Sequence, residues 1–370
     1  MTHSDVNDIL LKGASCLDIT PSMFKEATAH YKAVGAFLGN CGVDADITPF
    51  GSILTGTVVR PYSEDENAYF DIDVLVNRPN LDCMENTPRE ARGPVKDALL
   101  NSDRYREMTK SYDECLTIEY VANGVEGGFR LDLSTCVDDK ANPKARACAT
   151  YPNYSDATIS MAWENPEQWH GSNPRGLCQW FIDKNERFAA TGRNQRKANI
   201  FEKNQHIFAS IEDVPDSLDR SAMQRAVQVL KRSRDMFYNR LCKPNEAPAS
   251  CIISVIVGNL SDSLSDSATT TDFLNGFVQY ASSIVRTESL PNPVFDEDLI
   301  QKWTYINFTD FTLWVKDIER NLADLHDGTN TKRNAAAESI FGREVGRKAL
   351  PTAAIVSASN IIKPSKPWAM

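Results

Sequence analysis

The chain has 370 residues, 42% of them hydrophobic, and its 50 acidic against 40 basic side chains give a net charge of -10 and a pI near 5.1. That length supports a substantial core and about two domains, while the acidic balance argues against non-specific binding to long duplex nucleic acid, which needs a basic face. No apolar stretch approaches the roughly 20 residues of a membrane span, and the opening MTHSDVNDILLKGASC lacks a signal-peptide core, so a cytoplasmic location and no membrane partner are expected.

In chain order, residues 4–40 read as helix, with Thr20 able to cap, Pro21 in a first helical position and Gly39 near the stop. Apolar Met23, Ala27, Tyr31, Val34, Phe37 and Leu38 recur there at helical spacing. The stretch FGSILTGTVVRPYSEDENAYFDIDVLV (50–76) opens on a Gly51-Ser52 turn and closes on a strand over 70–76. Side chains two apart on a strand share a face, so Asp71 and Asp73 stand with Leu75, and Ile72, Val74 and Val76 take the opposite side. A D-x-D triplet is commonly a solvated edge or a cap. Here the Val74-Leu75-Val76 run marks a buried strand, in which two unpaired carboxylates are costly. Residues 88–110 are charged and read as helix. ECLTIEYVANGVEGGFRLDLSTCV then places Asn123-Gly124 between two alternating runs, a type I′ hairpin signature. Its second arm sets Phe129, Leu131 and Leu133 against Arg130, Asp132 and Ser134, supplying a third strand-borne carboxylate.

From about 174 the pattern turns mostly helical, with NPRGLCQWFIDKNERFAA and then DRSAMQRAVQVLKRSRDMFYNRL, whose Met223, Ala226, Val227, Leu230 and Phe237 form one stripe. Trp180 and Phe181 read as core. ASCIISVIVGNL (249–260) is a buried helix or a strand, which periodicity does not decide. Residues 261–272 read as loop, LPNPVFDEDLIQKW (290–303) as a turn feeding a short helix, and the Ala-rich 334–337 as part of a closing helix. Nine cysteines are scattered without a CxxC, the pattern of reduced thiols, and five isolated histidines give no basis for His-based metal or nucleophilic chemistry.

Three strand carboxylates aimed at one point suit hard divalent cations, which take oxygen ligands. A pair of such ions about 4 Å apart serves in-line phosphoryl transfer. A Gly-Ser turn suits phosphate, because glycine lets the backbone approach and the serine hydroxyl donates. Gly-Ser, a D-h-D strand and a later lone Asp, in this order, form the pattern of polymerase-β-like nucleotidyltransferases.

GSILTGTVVRP, DIDVLV, RLDLSTCV, SNPRGLCQWF, QRAVQVLKRSRD, APASCIISVIVGNL and LPNPVFDEDLIQKW, spread over about residues 45–305, resemble the bacterial cGAS/DncV-like nucleotidyltransferases, the CD-NTases of CBASS antiphage defence. The resemblance implies an α+β, two-lobed fold: a mixed-sheet lobe with the N-terminal helix over 1–174, and a helical lobe over 175–370 closing a nucleotide cleft. It implies a template-independent synthase that joins nucleoside triphosphates into a cyclic di- or trinucleotide second messenger read by a separate effector protein. Asp71, Asp73 and Asp132 are the implied ligands of two Mg²⁺ ions (Mn²⁺ a substitute), Gly51 and Ser52 the implied holders of donor phosphates, and Lys231 and Ser250 the implied contacts to triphosphate or ribose. Ser233 stands where the family often has histidine, and Val255-Ile256-Val257 replaces a more Thr-rich segment. HORMA-like partners or ubiquitin-like conjugation of the C-terminus are the regulators the family brings, while the KPSKPWAM tail ending Trp368-Ala369-Met370 reads first as a flexible end. The rival from the same superfamily is a linear oligonucleotide or RNA-tailing polymerase, which the net charge disfavours.

Overall fold

The computed structural model describes residues 2–60, 70–120, 128–146 and 152–350. The chain opens with α1 (His3–Cys16), capped by Thr2 and Asp5, and α2 (Pro21–Asn40), where Thr20 Oγ1 accepts from the Met23 amide at 3.1 Å. The single helix expected over 4–40 is therefore two. Leu17 N–H folds back on Ala14 O and closes α1, and Pro21, which has no N–H and clashes one turn back, can only begin a new helix. The two helices part company: α1 packs in the helical core through Val6, Ile9, Leu10 and Ala14, and α2 in the sheet core through Met23, Ala27, Val34 and Leu38.

The sheet is built from β1 (Asp46–Pro49), β2 (Phe70–Asn77), β3 (Thr109–Ser111), β4 (Leu116–Tyr120), β5 (Phe129–Asp138), β6 (Ile159–Glu164) and β7 (Glu167–Ser172). Among the described residues it is seven-stranded, with the path β1-β2-β5-β4-β3 and the β6–β7 hairpin extending from the far end of β5. Only β2 and β5 run parallel within this set, so the sheet is mixed. Between β1 and β2 lies the short α3 (Gly51–Thr55), and α4 (Pro88–Leu100) covers the sheet. The expected helix over 88–110 stops at Leu100, because Ser102 Oγ accepts from the Arg104 and Tyr105 amides and diverts the backbone into a turn before β3. β4 and β5 pair antiparallel out to Tyr120 and Phe129, as the hairpin reading requires, while Asn123-Gly124 itself falls outside the described residues.

Seven helices follow among the described residues: α5 (Pro174–Ala190), α6 (Arg193–Lys203), α7 (Ala222–Arg240), α8 (Ser250–Ser261), α9 (Thr270–Thr287), α10 (Tyr305–Asp327) and α11 (Asn330–Phe341), closed by a further short one, α12 (Arg343–Ala349). The undecided 249–260 segment is α8. It is apolar on nearly every side because α5, α7 and α9 surround it, and Gly258 is required where Trp180 crosses: a Cβ there would lie 2.2 Å from the indole. The loop expected over 261–272 gives way to α9 at Thr270, where Thr269 and Asp272 form a reciprocal cap. No helix forms in 290–303. Asp298 instead accepts from Ser289 Oγ and from the Leu290 and Ile300 amides, holding an irregular turn, and the chain becomes helical only at Tyr305. Trp180 and Phe181 are buried as expected. The result is an α+β molecule with a sheet core and a helical core meeting along α3, α5 and α7.

Candidate active site

The sheet register assembles the three aspartates. β2 and β5 pair parallel with Asp73 opposite Asp132 and Asp71 opposite Arg130. Residues paired across a sheet point to the same side. All three carboxylates therefore leave one face, and Ile72, Val74, Leu131 and Leu133 fill the core behind the other. Leu75 shares the carboxylate side but is buried in its own small cluster with Cys136 and Ile159, which separates the charged end of the strand from its dry end. Asp71, Asp73 and Asp132 line one cavity of about 470 Å³, a volume typical of small-ligand sites, roughly 300–1,000 Å³.

Electrostatics in this cavity are strained in one direction. Burial, and then the charges of Asp132 and Asp71, push the Asp73 carboxyl up to about 7. Asp71 is exposed along the cleft, where water tempers the effect, and is raised to about 6 by desolvation and by Asp132. Asp132 is raised by burial, against the pull of a 2.6 Å hydrogen bond from Thr117 Oγ1. Carboxylates that repel one another in a partly dry cleft are what a divalent cation relieves. No three His, Cys, Asp or Glu side chains are already gathered into coordination geometry among the described residues. Asp132 is held by Thr117, so ion binding would draw the aspartates together rather than meet a finished cage. The donor set, all oxygen and net negative, fits magnesium or manganese.

The Gly51-Ser52 turn faces these carboxylates. Gly51 sits at φ +65°, and a Cβ on it would lie 2.4 Å from Asp73 Oδ2. Its first service is thus to leave room for Asp73. The Gly51 N–H is already donated to Cys178 Sγ on α5 at 3.1 Å, and the Phe50 N–H to Asp73 O at 2.9 Å, so of the pair it is Ser52, through its amide and hydroxyl, that is left to donate to a ligand. Lys231 enters from α7. Its buried Nζ donates to Thr57 O at 3.1 Å. Burial and the neighbouring Arg234 bring its pKa down to about 8, with Asp235, Asp73 and Asp71 pulling the other way. Ser250, first residue of α8, accepts from Arg234 Nη1 at 3.1 Å.

Every site residue singled out in the sequence, namely Gly51, Ser52, Asp71, Asp73, Asp132, Lys231 and Ser250, lines this one cavity. Sequence reading passed over Thr57, Cys178, Arg234, Asp235 and Ser254, which line it too. The spacing of Arg234 one turn beyond Lys231 was a usable signal for that residue. Cys178 and Thr57 carried none. Arg60 turns away from the cavity, its Nε donating to Asp18 O at 2.6 Å. Ser233 faces the helical core, accepting from Trp314 Nε1 at 3.3 Å. Tyr62, the acidic Glu64-Asp65-Glu66 run and the Trp368-Ala369-Met370 tail lie outside the described residues.

No known protein-family model matches the chain. A curated protein of Roseivirga ehrenbergii named c-di-GMP synthase is 23% identical over 365 residues, spanning 94% of this chain and 87% of that protein. Among solved structures, the CD-NTase CdnG of Bradyrhizobium diazoefficiens in complex with GTP superposes with a TM-score of 0.70 at 18% identity, covering 93% of this chain and 97% of that one. CdnC of Escherichia coli MS115-1, solved in a complex with HORMA, gives 0.58 at 13% identity over 90% and 96%. Over nearly its whole length the chain is thus similar to a c-di-GMP synthase, and it shares the fold of the CD-NTase CdnG.

Proposed function

We propose that this chain joins nucleoside triphosphates, without a template, into a cyclic di- or trinucleotide second messenger for antiphage defence. The observation that carries the reading is the convergence of three aspartates, a Gly-Ser turn and a buried lysine on one cavity. The name of the Roseivirga relative and the GTP held by CdnG support it.

In this reading Asp71, Asp73 and Asp132 hold two Mg²⁺ ions, with Mn²⁺ a substitute. Such ions, when bound, neutralise the triphosphate and favour ionisation of the attacking hydroxyl. The chain's own part is placement. Ser52 and Lys231 fix the donor phosphates, Ser250 sits beside them, and the cavity orients an acceptor 2′- or 3′-hydroxyl in line with the donor α-phosphorus. The hydroxyl loses its proton, a phosphodiester bond forms, and pyrophosphate leaves. Repetition within the linear intermediate closes the ring. We take residues 1–174 and 175–370 as the two lobes across which this happens, with α1 crossing into the second. No described helix is long and apolar enough to cross a membrane, in keeping with a cytoplasmic enzyme whose product reaches a separate effector. HORMA-like proteins, as in the CdnC complex, or ubiquitin-like conjugating enzymes are the regulators this reading allows.

Incubation with labelled nucleoside triphosphates and Mg²⁺, followed by phosphatase and mass spectrometry, is expected to yield a phosphatase-resistant species of cyclic mass. Phosphatase-sensitive products alone, or extension of added RNA, would replace this reading by a linear or tailing polymerase.

A further inference from the structure

The segment 55–60, which leads out of the Gly51-Ser52 turn, is buried through Val58 and is neither helix nor strand beyond Thr55. Its carbonyls have no ladder to join, and buried carbonyls need partners. They find them on α7 and on Arg220 just before it. Gln224 Nε2 donates to Thr55 O at 2.8 Å, Arg220 Nε to Gly56 O at 3.2 Å, Lys231 Nζ to Thr57 O at 3.1 Å, Gln228 Nε2 to Val58 O at 2.8 Å and Arg232 Nη2 to Arg60 O at 2.6 Å. Positions 220, 224, 228 and 231–232 recur at helical spacing, so one face of α7 and its leading residue read the strap carbonyl by carbonyl. The ladder is anchored at both flanks. Gln224 Oε1 accepts from the Ser221 amide in the α7 capping box, and Gln228 also donates to Asp18 Oδ1 at 3.0 Å and accepts from Arg225.

An apolar helix face would still press on the strap, but it would leave the buried main-chain carbonyls unpaired. What apolar packing would not fix is register. A slide of one residue would misalign every carbonyl with its donor.

We infer that Gln224 and Gln228 are positioning residues of the nucleotide site. They lock the strap to α7, so that the Ser52 turn at one end of the strap and Lys231 on the helix keep a fixed separation across the donor phosphates. This rests on the nucleotidyl-transfer reading above. It assigns the phosphate-binding turn mechanically to the helical lobe: α7 grips the strap, and Cys178 of α5 takes the Gly51 amide.

Gln224→Glu separates this role from helix stability, because Glu serves the capping box as well as Gln and in its ionised form offers Thr55 O no donor. Steady-state kinetics of the full chain are expected to show KM for the triphosphate raised about tenfold with kcat within about threefold of wild type, the signature of lost binding alignment rather than lost folded protein. Gln224→Met, which removes the donor without adding charge, should give the same split. A KM within about twofold of wild type in the folded variants overturns the inference. So does failure of both variants to fold, which would make these glutamines scaffold. If wild-type protein itself forms no nucleotide product under the same conditions, the underlying reading has failed instead, and the two failures are told apart by that control.

Discussion

Asp73→Asn is expected to reduce product formation about a thousandfold while leaving the chain folded, and Asp71→Asn to do nearly the same. Both side chains stand on the cavity face of β2, where no apolar contact depends on their charge. The stability consequence has a definite sign. The Asp73 carboxyl is raised to about 7 and Asp71 to about 6 in the folded chain, above the ordinary value near 3.9 in an unfolded one. The folded state thus holds these protons more tightly, and stability falls as pH rises from about 4 to about 7. Asparagine removes that loss. At pH 8 without divalent cations, Asp73→Asn should gain on the order of 1–2 kcal/mol, after allowing for water in the cleft, read as a higher melting temperature. Added Mg²⁺ or Mn²⁺ should raise the wild-type melting temperature and leave the asparagine variants unmoved. A fully active Asp73→Asn, or a wild-type transition indifferent to divalent cations, contradicts the assignment of these groups.

Gly51→Ala is expected to cost about a hundredfold in turnover, the scale on which a displacement near 1 Å acts on a reacting geometry. Two effects coincide at this position. The backbone sits at φ +65°, a region that costs an L-residue about 1–2 kcal/mol, and the new methyl would press on Asp73 Oδ2 from 2.4 Å. The carboxylate or the turn must shift, and either separates metal ligand from phosphate site. Gly39→Ala is the control: nothing lies within 4 Å of a Cβ there, and activity should be unchanged. Equal activity in the two variants would show that the approach of Gly51 to Asp73 has no catalytic meaning.

The aspartate face was legible because a strand has period two. One apolar run fixed which side of β2 was buried, and hence where both carboxylates pointed. The third followed from the same alternation in β5, although the parallel pairing that sets it beside Asp73 joins residues 59 apart and leaves no local mark. Periodicity failed at α8, where burial on all sides erases any polar face to count from. It failed again at 290–303, where Asp298 satisfies three donors and wins the backbone from the helix. The break between α1 and α2 was visible as Thr20-Pro21, yet apolar spacing on both sides of it read as continuous. Gln224 and Gln228 look like ordinary helix-surface residues in the sequence. Their worth lies in carbonyls some 170 positions earlier, and a main-chain acceptor has no residue type by which to announce itself.

The two cores differ in when their parts become available during synthesis. Among the described residues, the sheet core lies between Ile19 and Leu133, whereas the helical core needs Val6 from the first helix and Phe341 and Ala349 from the last two. A chain emerging from the ribosome N-terminus first can therefore set its acidic face early and waits for its final described turns to build the wall opposite. Stalled nascent chains ending shortly after the sheet should already resist protease across β2 and β5, and α7 should gain protection only in chains carried past Ala349.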